Sequence, residues 1–322
     1  MKIPHHRLIG LNTLMVIEKI KEENLPIPEN IKLDNVLEVL GRHQRVHRKK
    51  FKDYLGAPDL VKDVYIEMPF GIDDRYEFCG HGLSAFQHFI VPENGGFRGY
   101  NWDDDDSLAA LELLGDFLMN LTEVKYDYTV EEYGFDPEIM KNSPMNLLVE
   151  KEGGDVDLDD FQFPTAAEVG GYYGDKIASD EKYPLITRIK ASGFSLHFVM
   201  DACCAHHVLG YLLSGHSEWE ARLESNWRSR FDNPQDQTRL DKKFKKLARE
   251  ISKYLLENKD LSELKSVKEV IEFNAHFVAK WLENPKNREM ALKGIINRRQ
   301  TKEICIQAIA SSLVCLTNIF KT

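Results

Sequence analysis

Residues 196–221 read LHFVMDACCAHHVLGYLLSGHSEWEA and set His197, Asp201, His207, His216 and Glu220 within one short stretch. His197 and Asp201 are one helical turn apart, so on a helix they project from one face, and His216 and Glu220 repeat the step. His207 falls between the two pairs. Imidazole and carboxylate are the groups that hold zinc where no thiolate framework exists, and two ligands one turn apart can share one ion. A salt-bridged helix face could produce one such pair. Ion pairs of that kind contribute only about 0.2–0.5 kcal/mol, however, and would not call for a second. The stretch therefore reads as helices that carry metal ligands.

Outward from it the helical period persists. Residues 9–22 place Leu11, Leu14, Met15 and Ile20 in an apolar stripe beside a charged face, which predicts an amphipathic helix after Pro4. The pattern predicts further helices over 107–121, where Asp103 to Asp106 put carboxylates at the N-terminus, and over 193–206, 238–257, 266–282 and 287–319, the last interrupted near 298–301. Strand signals are few. The middle, 126–183, contains GGDVDLDDFQFPTAAEVGGYYGD and shows no sustained period, so it reads as irregular. The expected fold is all-α: one compact multi-helix domain spanning 1–322, with a loop-rich insertion at about 122–190.

Composition limits the function classes. With 43% hydrophobic and 29% charged residues the chain falls outside the disordered and fibrous classes, and its formal charge of −10 gives no global attraction to nucleic acid or anionic lipid. A phosphate-bearing substrate would have to be attracted locally, which bound cations can do. Cys79, Cys203, Cys204, Cys305 and Cys315 form no CxxC pair, and the reading is a reducing compartment. Arg7, Asn12 and Glu18 interrupt the apolar core that a secretory leader needs, so a cytoplasmic location is expected, or a secreted one if a leader precedes this chain. The most apolar segment, 306–320, carries Gln307, Ser311, Ser312, Thr317 and Asn318, and no transmembrane segment is expected. No obligate protein partner is evident.

Two upstream pieces join the stretch: His6 with Ile9 after it, and DDRYEFCGHGLSAFQHFIVPENGG, in which Asp74 precedes His88. Together these positions resemble the zinc-dependent phospholipases C, including clostridial alpha-toxin, and the related fungal single-strand-specific nucleases. The shared signature is HxxxD, five residues and a His, then a variable loop and HxxxE or HxxxD, preceded by an early His and by an Asp ahead of a His-Phe-x-x-Pro segment. The resemblance implies an all-α fold around as many as three zinc ions. One would be held by Asp74, His88, His197 and Asp201, and a second by His207, His216 and Glu220. The third would be held by His6, a bridging oxygen of Asp201, and the amine and carbonyl of the first residue. Family members begin with a tryptophan, whereas Met1 stands there in this chain. The implied activity is hydrolysis of a phosphodiester by water, with Asp74 as general base or water-orienting group; Asp73 beside it offers the same chemistry.

The substrate reading is a phospholipid first and single-stranded nucleic acid second, with a helical scaffold or binding protein bearing a vestigial metal site as the rival from another class. Choline-preferring members place aromatic residues where this chain has Arg75 and Ala85, which argues against a quaternary ammonium head group. Phe86, Phe89, Phe97, Tyr100 and Trp102 are either base-stacking groups or ordinary core aromatics. GRHQRVHRKKFK at 41–52 reads as a solvated basic face, with phosphate binding as its functional alternative. Cys203 and Cys204 read as buried small apolar residues, since the matching ligand set already fills the sites.

Overall fold

A computed structural model describes residues 3–56, 58, 65–66, 87–101, 124–125, 138–139, 142–144, 163–211, 215–231 and 237–321. The fold is all-α, as expected. The first helices are α1 (Ile3–Glu22), α2 (Leu33–Leu40) and α3 (Arg45–Tyr54). After the middle of the chain come α4 (Ala166–Gly171), which continues as a π-helical turn over Tyr172–Ala178, then α5 (Leu185–Asp201), α6 (Ala205–Leu209) and α7 (His216–Arg228). The chain closes with α8 (Gln237–Glu257), α9 (Lys259–Glu263), α10 (Val267–Leu282), α11 (Pro285–Leu292) and α12 (Arg298–Ile319). Among the described residues, strands are limited to two antiparallel pairs, Tyr65–Ile66 with Val124–Lys125 and Val91–Glu93 with Gly96–Arg98.

Two helices form the centre. From Ala191 to Asp201 every residue of α5 is buried, and a helix closed to water on all sides must lie at the core of its fold. It packs against α3, α4, the π-helical turn, α10 and α12. The second is α12, which is long and apolar enough to cross a membrane; 78% of its most apolar window is buried inside the fold, against α1, α5, α8 and α10. Its Gln307 and Ser311 reach Asn274 of α10, Gln307 donating to Asn274 Oδ1 at 2.6 Å and Ser311 at 2.7 Å. Asn274 donates in turn to Val199 O at 2.8 Å, close to the C-terminal end of α5. Four buried polar groups thus satisfy one another and fix α5, α10 and α12 in register.

The expected insertion at 122–190 needs correction over 163–190. Ala166–Ala178 is helical, and α5 begins at Leu185. Thr165 accepts from the Glu168 backbone N–H while Glu168 returns to the Thr165 N–H, a capping box that starts α4. The glycines that disguised this helix are there for close packing: a Cβ on Gly170 would lie 2.4 Å from Ile271 Cδ1 and 2.9 Å from Phe198 Cβ. Asp175 of the π-helical turn accepts from the first two N–H groups of α10, at 2.7 and 3.1 Å, so the segment also caps its neighbour. Two boundaries also move. The helix expected over 193–206 is α5 followed, after a break at 202–204, by α6. The last interruption lies before Arg298, where Asn297 and Gln300 form a capping box. The helix expected over 107–121 lies outside the described residues.

Gly193 controls how close α3 comes to α5. A Cβ there would meet Phe51 O at 2.5 Å and Tyr54 Cβ at 3.1 Å, so an alanine must push α3 outward. The displaced segment includes Leu55, whose carbonyl accepts from His197. Gly193→Ala is expected to cost about 1–3 kcal/mol of stability by overpacking, read by urea denaturation, and to weaken metal retention with it. Unchanged stability and unchanged metal content would show that the α3–α5 contact does not hold His197 in place.

Candidate metal centre

Asp201 ends α5 and is completely buried. Four imidazoles from four parts of the chain meet its carboxylate. Oδ1 receives His6 Nε2 from α1 at 3.0 Å and lies 3.4 Å from His207 Nδ1 of α6, whereas Oδ2 lies 2.6 Å from His88 Nδ1 and 3.0 Å from His197 Nε2. The helical step brings His197 and Asp201 together, as the sequence predicts, and the two carboxylate oxygens face different histidines.

The hydrogen bond that His197 makes gives it the tautomer a metal ligand needs. Its Nδ1 lies 2.9 Å from Leu55 O, and because a carbonyl only accepts, Nδ1 carries the proton. In the neutral ring Nε2 is then a bare lone pair, yet it faces Asp201 Oδ2 and stands 3.2 Å from His88 Nδ1. Facing acceptors need a proton or a metal between them. A backbone carbonyl on the far nitrogen is also the usual means by which a ligating histidine is oriented. Burial pushes the Asp201 carboxyl up, but His197, His207 and His6 together hold it well below the ordinary carboxylate range. Burial, then His197, lowers the pKa of His6, and burial carries His207 well below its usual value despite Asp201. Burial thus disfavours the charged form of both rings, and the uncharged form is the one that binds metal.

A second group lies beside the first. His216 and Glu220, one turn apart at the start of α7, hold each other at 3.0 Å. Burial opposes both charges, yet Glu220 raises His216 well above its usual pKa, and Glu220 is itself held well below the normal range with His216 and His207 among the causes. The His216 ring stands nearly perpendicular to that of His207, with centroids 4.8 Å apart, and stacks on His206 at 5.0 Å. Two sets of side chains thus have ligand atoms close enough to hold a metal ion: His6, His197 and Asp201, and Cys204, His207, His216 and Glu220, the atoms of each set lying within 4.8 Å of one another.

Seven of the nine expected ligands, His6, His88, His197, Asp201, His207, His216 and Glu220, therefore converge. Met1 and Asp74 lie outside the described residues, as do Asp73, Arg75, Ala85, Phe86 and Trp102. Two groups escape the sequence reading. Cys204 stands in the second set, and its Cys-x-x-His spacing to His207 is a metal-ligand spacing that could have disclosed it. His5 is fully buried, neither ring nitrogen has a hydrogen-bond partner among the described residues, and burial followed by His6 lowers its pKa to about 3. Adjacency to His6 was its only signal.

Other expectations resolve more simply. Phe89 and Tyr100 are core, their centroids 4.9 Å apart, so neither is an open stacking platform, whereas Phe97 is half-buried and packs on His276. In the basic segment, Arg42 and Arg48 both donate to Glu18 at 2.6 Å, and His47 contacts Val39 O, while His43 and Lys49 face solvent. No protein-family model, curated protein or solved structure matches the chain.

Because Asp201 faces His6 and His207 through one oxygen and His88 and His197 through the other, its loss should cost more metal than loss of His216, which faces Glu220 alone among the carboxylates. After loading with divalent metal and dialysis against metal-free buffer, Asp201→Ala is expected to retain less metal per chain than His216→Ala, measured by plasma mass spectrometry. Equal retention would refute the shared role of the carboxylate.

Proposed function

We propose that this chain is a zinc-dependent phosphodiester hydrolase, phospholipase C-like, acting through a cluster of up to three zinc ions. The observation that carries the proposal is the Asp201 carboxylate, with one oxygen toward His88 and His197 and the other toward His6 and His207. A carboxylate disposed in this way suits two neighbouring cations, and paired metals are a recurring solution for in-line displacement at phosphorus.

The residues fit the ions. Imidazoles, one of them with a fixed tautomer, a buried carboxylate and a thiol-containing second set suit zinc in preference to magnesium or calcium, which take oxygen ligands. His88, His197 and Asp201 would hold one ion together with Asp74. His207, His216 and Glu220 would hold another, and His6 and Asp201 a third together with Met1. When bound, the ions supply Lewis acidity toward phosphate oxygens and toward water. The protein orients His197 through Leu55 O, keeps Asp201 ionised, and buries the groups around Asp201 so that its charge acts with little screening. Asp74 is the carboxylate proposed to take the proton from the attacking water. Substrate attraction is local, since the chain as a whole is acidic.

The expected result is hydrolysis of bis(p-nitrophenyl) phosphate that disappears on chelation and returns with zinc. Asp74→Asn should lower turnover by about 100-fold or more with zinc content retained; an unchanged rate would remove its role. Parallel assays on phosphatidylcholine micelles and denatured DNA separate the lipase from the nuclease reading. Bound zinc with no turnover on any of the three substrates would leave the scaffold reading in possession.

A further inference from the structure

The geometry points to Cys204 as a fourth ligand of the second metal position, so that the ion between His207, His216 and Glu220 is enclosed by protein on all sides, one ligand being a thiolate. This inference rests on the metal-centre reading and deepens it, because it assigns a different duty to each part of the cluster.

Several observations converge. Cys204 Sγ lies with the ligand atoms of His207, His216 and Glu220 inside a 4.8 Å span, and stands 3.9 Å from Glu220 Oε1. Cys204 is completely buried, and His207 and Glu220 are nearly so. His207 Nδ1 has no hydrogen-bond partner among the described residues; its nearest charged neighbour is Asp201 Oδ1 at 3.4 Å. A buried imidazole nitrogen left in that state is poised for a cation. The backbone explains why this cysteine and not its neighbour is placed there. The Cys204 N–H donates to Asp201 O at 2.7 Å as the chain turns out of α5, and Cys204, in extended conformation, then starts α6. Cys203 instead turns its sulfur back toward Val199 O at 3.8 Å, away from the set.

Four protein ligands of the Cys, His, His and Glu type complete a tetrahedral zinc shell, and a complete shell leaves no position for substrate. As the bond from sulfur to metal forms, the Cys204 thiol proton passes to solvent, with no change of oxidation state. The second ion then anchors the α6–α7 junction, and the open coordination needed for hydrolysis falls to the Asp201 side.

Cobalt(II) is the probe, because a thiolate bound to it gives a near-ultraviolet charge-transfer band that imidazole and carboxylate do not give. The full chain, stripped of metal and titrated with cobalt, is expected to show the band. Cys79→Ser, Cys203→Ser, Cys305→Ser and Cys315→Ser should each keep it. Cys204→Ser should lose it and bind one cobalt about 10-fold or more weakly, with the helical circular dichroism of the parent. Should Cys204→Ser fail to fold, the band in the parent and its survival in the other four variants make the assignment by elimination, since the chain has five cysteines. Cobalt bound without the band, or a band that persists in folded Cys204→Ser, overturns the inference and leaves the metal centre standing. No cobalt bound at all overturns both.

Discussion

A fully buried carboxylate is the constraint on which the rest of this molecule depends. Removing an ionised group from water costs several kcal/mol unless the protein supplies compensating partners, and Asp201 has four imidazoles within 3.4 Å. Those partners come from α1, from the segment before the Val91–Glu93 strand, from α5 itself and from α6. The position of the carboxylate therefore couples elements far apart in sequence, including His6 with Asp201. It also accounts for the place of α5: a helix ending in such a group must be enclosed to its last turn, and α3, α4, α10 and α12 provide the enclosure.

Orientation is supplied one layer further out. His197 is set by Leu55 O, which comes near α5 because Gly193 has no side chain to hold it away. Near the same end of α5, Val199 O is taken by Asn274, and Asn274 is held by Gln307 and Ser311 of α12. Of the four C-terminal carbonyls that a helix leaves without helical partners, this one is satisfied by a side chain from a neighbouring helix. The last turn of α5 is thus fixed from both sides, and that rigidity is what ligands need to be held within a fraction of an ångström of productive geometry.

How much of this was legible in the sequence depended on whether the signal was local. The spacing of His197 to Asp201 and of His216 to Glu220 is a property of one helix each, and both pairs meet as the period requires. The helices over 238–257 and 266–282 appear within a residue of their expected bounds for the same reason. Ala166–Ala178 was missed because its glycines carry low helix propensity, and what they offer in return, close approach to Ile271 and Phe198, is tertiary. The start signal Thr165-x-x-Glu168 was local and could have been read. Phe89 and Tyr100 could not be sorted from stacking aromatics, because burial is not a property of spacing. Cys204 was set aside on the argument that the ligand set was already full. Only the fold discloses that its sulfur and that of Cys203 point to different places.

The two ligand sets differ in charge, and the difference bears on where an anionic substrate would sit. Around Asp201 the described groups are one carboxylate and four imidazoles, so two cations held there would keep positive charge in excess even with Asp74 added. Around Glu220, a carboxylate and Cys204, as the thiolate ligand proposed above, would together neutralise a dication. A phosphodiester approaching a chain of net charge −10 gains nothing from the protein as a whole, and at short range it gains most where positive charge is least cancelled. On the proposed assignment that place is the Asp201 side, which would also keep the open coordination. Closure of one site and charge excess at the other are then two consequences of the same distribution of ligands, with His207 between the two.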